Sequence, residues 1–146
     1  MFDLDLGLEA AIQRPFKPKS ILHELKMQLF QNVPESVKAY ARELQGKDWR
    51  FYAVSQDRGT CYLDAKVITI PDWVIIKRPI KEKIWYISHE LSHAFDTSRS
   101  AHGPAFMSIL KDICPEDCIE YELGYKPRNA RAAGIGAPKP ITLLDL

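Results

Sequence analysis

Residues 89–93 read His-Glu-Leu-Ser-His, and a third histidine follows at position 102. These residue types at this spacing can do metal chemistry. Two histidines four apart project from the same side of a helix, so both imidazoles can reach one ion. Glu90 is rotated about 100° from His89 around such a helix. From there it can take a proton from a water at the metal without being a ligand itself. Zinc lowers the pKa of such a water from ~16 to ~7. A carboxylate beside it serves as general base and then as proton donor to the leaving group. The expected site is therefore Zn2+ on His89, His93 and His102, with Glu90 catalytic. Three of the four histidines in the chain fall within these fourteen positions, which argues against an accidental match. The fourth, His23, has nothing near it to complete a ligand set and reads as structural or surface.

A helical wheel supports the motif. With His89 at zero, His93 falls near ~40° and Asp96 near ~−20°. Ile84, Ile87, Leu91, Ala94 and Phe95 gather on the opposite side, and Trp85 and Tyr86 flank the histidines. A helix covered on both faces does not carry two imidazoles without a reason. The spacing is not that of metzincins, whose glycine breaks the helix soon after the second histidine. Here Asp96 holds that position, and eight residues separate His93 from His102. Three ligands from one straight helix cannot surround an ion, so His102 on a separate segment is the better third ligand, with Gly103 letting the backbone turn. Asp96 is expected to orient an imidazole or to tie down the loop. Glu116, Glu120 and Glu122 lie downstream without a clear ligand signal. Arg99 and Tyr125 are guesses for a group that stabilises an oxyanion.

Several elements must position these residues. Ser20–Phe30 and the stretch from Pro34 to Gly46 have helical periodicity. Trp49–Ser55, Thr60–Leu63 and Lys66–Ile70 read as three short strands, with a turn at Gln56–Gly59. Residues 71–79 read as a loop between prolines. The motif helix runs from Ile80 to about Thr97, and a further helix opens at Pro104 and stops at Pro115. A short helical piece is possible over Glu116–Leu123. Segregated strands and helices predict an α+β domain over residues 20–125, with an arm at 1–19 and an extended tail at 126–146. Its small three-stranded sheet packs on helices that include the motif helix. Lys66–Ile70 is the candidate sheet edge along which an extended peptide could pair.

Composition narrows the function classes. At 146 residues the chain fits one domain with a core that needs no disulfides. A net charge of +1 gives no electrostatic case for nucleic acid or for an anionic membrane. No stretch has the roughly 18 apolar residues of a membrane span, and the N-terminus lacks the apolar core of a signal peptide. Three cysteines, Cys61, Cys114 and Cys118, suggest a reducing setting, so the protein is expected in the cytoplasm. Cys114 and Cys118 lack zinc-ribbon spacing and read as buried structural thiols.

The sequence resembles the SprT-like metalloprotease family. That family shows H-E-L-x-H-A, a loop, then H-G-x-x-F. Here the residues are His89-Glu90-Leu91-Ser92-His93-Ala94 and His102-Gly103-Pro104-Ala105-Phe106. Gly59-Thr60-Cys61 and the strand ending Val67-Ile68-Thr69-Ile70 add a weaker likeness, so the resemblance spans roughly residues 34–114. It implies a minimal zincin-like fold and a zinc peptidase acting on protein or peptide substrates. The cysteine-rich zinc ribbon that often follows in the family is missing here, so a link to nucleic acid rests on the resemblance alone. Two other classes compete: another metal-dependent hydrolase such as a nuclease, and a non-catalytic zinc-binding module. The neutral charge and Glu90 weigh against the first. An intact Glu90, which a purely structural site does not need, weighs against the second.

Overall fold

The computed structural model describes residues 22–98, 100–124 and 139–146. It has an α+β fold. Helices α1 (Leu22–Leu29) and α2 (Glu35–Gln45) precede strands β1 (Arg50–Val54), β2 (Thr60–Tyr62) and β3 (Val67–Pro71). Helices α3 (Asp72–Lys77), α4 (Ile80–Phe95), α5 (Pro104–Ile113) and α6 (Glu120–Gly124) follow. Strand β4 (Pro140–Ile141) and a 3-10 turn at Leu143–Asp145 come last. Among the described residues no helix is long and apolar enough to cross a membrane.

The sheet is mixed, with strand order β2-β3-β1-β4. β1 and β3 run parallel, while β2 is antiparallel to β3 and β4 antiparallel to β1. β3 is buried along its whole length, so its side chains are apolar or hydroxylic on both faces. Phe51, Ala53, Ile68 and Ile70 join the helices in the main core. Tyr52, Val54 and Val67 form a smaller cluster on the other face.

Three expectations from the sequence need correction. The sheet has four strands, because Ile141 pairs with Phe51 and is buried. The last residues of the expected tail therefore belong to the sheet, a pairing too short and too distant in sequence to leave a local signal. Residues 71–79 contain α3, a single turn and a half whose Trp73, Val74 and Ile75 are buried. Pro71 sits at its N-cap, where a missing N–H costs nothing. Lys66–Ile70 does not form an edge: β3 lies between β2 and β1, and among the described residues the edge on this side is β2.

Helix α4 is the centre of the domain. Residues 82–88 and 90–92 are all buried, polar ones included. Lys83 Nζ donates to the carbonyls of Gln28 (2.6 Å) and Gln31 (2.9 Å) and so ties the end of α1 to α4. Arg78 pairs with the buried Glu82 in the first turn of α4. Ser88 and Ser92 donate back to the carbonyls of Ile84 and Ser88, which lets hydroxyls face the core without unpaired protons.

The turn before β2 is fitted against α4 and β3 with no room to spare. The Gly59 N–H donates to Tyr86 Oη at 2.8 Å. A Cβ on Gly59 would lie 2.3 Å from the Thr69 carbonyl and 2.9 Å from the Tyr86 ring. Gly59→Ala should therefore destabilise the fold by ~1–3 kcal/mol, as overpacking does. Gly124→Ala, where a Cβ meets nothing within 4 Å, should change stability by less than about 0.5 kcal/mol. Urea unfolding of the two variants checks the contrast.

Candidate metal centre

His89 and His93 lie one turn apart on α4, and His102 arrives from the loop between α4 and α5. Their Nε2 atoms converge: His89 to His93 is 3.2 Å, His93 to His102 is 3.1 Å and His102 to His89 is 3.2 Å. A tetrahedral ion bound at about 2.0–2.1 Å needs its nitrogen donors about 3.3 Å apart. The three-histidine group thus fits a metal ion, and among the described residues no fourth ligand joins it.

Phe106, fully buried on α5, supports all three rings. Its centroid lies 5.0 Å from that of His89, 4.5 Å from His93 and 4.9 Å from His102. The imidazoles stand between this ring and a cavity of about 520 Å³, which they line together with Glu90. The helix start at Pro104 fixes Phe106 one turn after His102, so the third ligand and the support come from one short segment.

The turn that delivers His102 is made by the histidine itself. Its φ is +57°, the left-handed region that histidine adopts more readily than most side chains. Gly103, expected to provide the turn, has φ −79° and serves another purpose. A Cβ there would come within 2.9 Å of Ser100 Oγ.

Glu122 on α6 orients His89, a role that sequence spacing did not single out. Its Oε1 lies 2.7 Å from His89 Nδ1 and accepts from Trp85 Nε1 at 3.0 Å. A carboxylate on Nδ1 keeps the proton there and leaves the Nε2 lone pair for a metal. Burial pushes the Glu122 carboxyl up, but the hydrogen bonds from His89 and Trp85 and the charge of His89 outweigh it, and the group lies below its usual range. The nearby Trp85 is the signal that sequence alone offered, since a buried indole N–H needs an acceptor.

Asp96 caps the end of α4 and does the second of the two tasks expected of it. Its Oδ1 accepts from the Ser98 backbone N–H (2.9 Å) and hydroxyl (2.6 Å), which tie down the loop. The Ser98 hydroxyl, then its N–H, hold the Asp96 carboxyl below the usual range. Glu90 is buried against the cavity. Burial pushes its carboxyl up to about 7, against His89 and helped by the negative charge of Glu122. Burial first, then the neighbouring His89 and His102, pull His93 down to about 4. Cys114 and Cys118 are free, buried thiols, as expected. Arg99 and Tyr125 lie outside the described residues.

Metal binding should depend on these residues unequally. Glu122→Gln should weaken affinity ~10–100-fold in a chelator competition, the usual cost of losing the partner of a ligating histidine. His102→Ala should abolish tight binding, and Asp96→Ala, whose carboxylate holds the loop and reaches His93 only through its charge, should cost less than Glu122→Gln. Affinity should also fall with acidity, because only neutral imidazole binds. A lowered pKa means that His93 takes up its proton only near pH 4. Between about pH 5 and 6, His93 should therefore contribute little to the slope of log affinity against pH, and its contribution should appear only as the pH approaches 4.

The chain matches no protein-family model, no curated protein and no solved structure.

Proposed function

We propose that the chain is a zinc-dependent peptidase of the SprT-like kind. One observation carries the reading: three histidine Nε2 atoms converge on a point that opens into the same cavity as a buried glutamate. Three nitrogen donors with a free fourth position are the donor set of catalytic zinc, whereas structural zinc sites close all four. When bound there, zinc supplies Lewis acidity that activates a water and polarises a carbonyl.

The side chains account for the remaining roles. Glu90 lines the cavity beside His89 and accepts the proton of the attacking water. A buried carboxyl near neutrality is suited to take that proton and then return it to the leaving amine. Glu122 and Phe106 hold the imidazoles still. The buried wall formed by Trp85 and Tyr86 limits water on one side of the cavity.

Strand β2 offers the substrate a backbone partner. The Thr60 N–H donates to Thr69 Oγ1 at 2.9 Å, so Thr60 turns its backbone groups toward β3. Alternation along an antiparallel strand then points the N–H and carbonyl of Cys61 outward. Cys61 lines the cavity and is close enough to Glu90 to feel its charge. An extended peptide pairing at Cys61 lies across the histidines, with affinity from its main chain.

Glu90→Gln should keep the fold and bound zinc but lose at least ~100-fold in turnover, since an amide cannot serve as base. A quenched fluorescent casein assay, with zinc content measured on the same samples, checks this. Near-wild-type turnover at full zinc occupancy would sink the mechanism. Wild-type cleavage should stop with a chelator and return with added Zn2+.

A further inference from the structure

We propose that Arg58 makes the cleft selective for peptides that carry a carboxylate, from an acidic side chain or a free C-terminus, at the Arg58 end of β2. The inference rests on the peptidase reading for the ligand being a peptide, but the selectivity comes from Arg58 itself.

Among the described residues, Arg58 is the one arginine or lysine lining the cavity of the histidine site. The other ionisable walls among them are the three histidines, Cys61, Tyr86, Glu90 and Glu122. Among the described residues no carboxylate pairs with Arg58, although the exposed Asp57 is its chain neighbour. Asp57 contributes its carbonyl, not its carboxylate, to the local structure.

The backbone on either side of Arg58 is fixed by a buried aromatic residue. Trp73 Nε1 donates to the Asp57 carbonyl at 2.9 Å, and the Gly59 N–H donates to Tyr86 Oη at 2.8 Å. Trp73 and Tyr86 in turn pack edge to face, with centroids 6.3 Å apart. Tyr86 belongs to α4, three residues before His89. A surface turn whose only task is to reverse the chain does not need two such anchors. Their effect is to hold the root of the Arg58 side chain at a set place relative to the histidines.

The chemistry of the ligand follows from the side chain. A guanidinium presents a planar fork of donors that matches a carboxylate with two parallel hydrogen bonds. Arg58 stands two residues before the edge strand β2. A peptide paired along β2 therefore brings one of its terminal positions to Arg58 while an inner carbonyl lies at the histidines. Because the guanidinium is solvent-exposed, the gain is modest and sensitive to salt.

The test measures binding and cleavage separately. The binding probe is a set of fluorescein-labelled heptapeptides of Gly, Ala and Ser in which a single Glu is walked through every position. Each is paired with its Gln counterpart and made with a free or an amidated C-terminus. Anisotropy is read with zinc-loaded Glu90→Gln protein, which binds without cutting. We expect Glu over Gln by about three- to tenfold at one position, or free acid over amide by the same factor. The first outcome assigns a side-chain carboxylate and the second a C-terminus. Adding Arg58→Gln should erase the preference with zinc content retained, and Arg58→Glu should favour Lys at the same position. Equal binding of every pair, no binding of any peptide, or a preference that survives Arg58→Gln overturns the proposal. Selective binding without cleavage by the wild-type protein overturns the peptidase reading and leaves this one standing. Cleavage without selectivity does the reverse.

Discussion

Three ring nitrogens held 3.1–3.2 Å apart repel one another when each turns a lone pair inward, as metal binding requires. A cation between them converts that repulsion into coordination. The protein must therefore hold the imidazoles together against their own electrostatics, and much of the fold serves this end. α4 supplies two rings from a helix so buried that it cannot rotate. Phe106 blocks retreat from below, Glu122 blocks reorientation of His89, and the Asp96–Ser98 bonds hold the loop that brings His102 round. The left-handed backbone at His102 fits this account, since an unfavourable conformation persists only where its surroundings over-determine it.

Burial has opposite consequences for the two kinds of titratable group at the site. It disfavours charge, so it lowers His93 to about 4 and raises Glu90 to about 7. In the metal-free protein the two linkages oppose each other. His93 binds its proton more weakly folded than unfolded, which makes stability rise with pH between about 4 and 6.5. Glu90 binds its proton more tightly folded than unfolded, which makes stability fall with pH between about 4.5 and 7. Burying both groups thus costs stability on either side, and between about pH 4.5 and 6.5 the two costs add while their opposite slopes partly cancel, which flattens the dependence on pH.

The motif was legible because its chemistry is local. His89, Glu90 and His93 are set by helical periodicity, and the strands and long helices announced themselves by period and by turn residues. The convergence of His102 could be argued from the need for a ligand off the helix. What remained hidden depends on distance in sequence. Glu122 reaches His89 across 33 residues, and Ile141 pairs with Phe51 across the length of the domain. No period or spacing reports such contacts. α3 was hidden for a different reason: six residues between prolines give too few turns for a helical period to show, and only its burial marks it as packed structure. The edge was misassigned because β1 and β3 pair in parallel, so the chain passes through β2 on the outside before β3 fills the gap.

That topology also decides where a ligand can approach. A four-stranded sheet has two edges, and here β4 covers β1, leaving the β2 edge next to α4. An open edge is ordinarily a liability, because free N–H and carbonyl groups invite pairing with any extended chain. Proteins blunt such edges by keeping them short or by placing charge beside them. β2 has three residues and is preceded by Arg58, so it has both protections. The same two features suit an edge that must pair transiently and with some choice of partner. On the proposed reading, a short ladder would release what it binds, and a cation on an anchored turn would discriminate among extended chains that otherwise offer the same backbone.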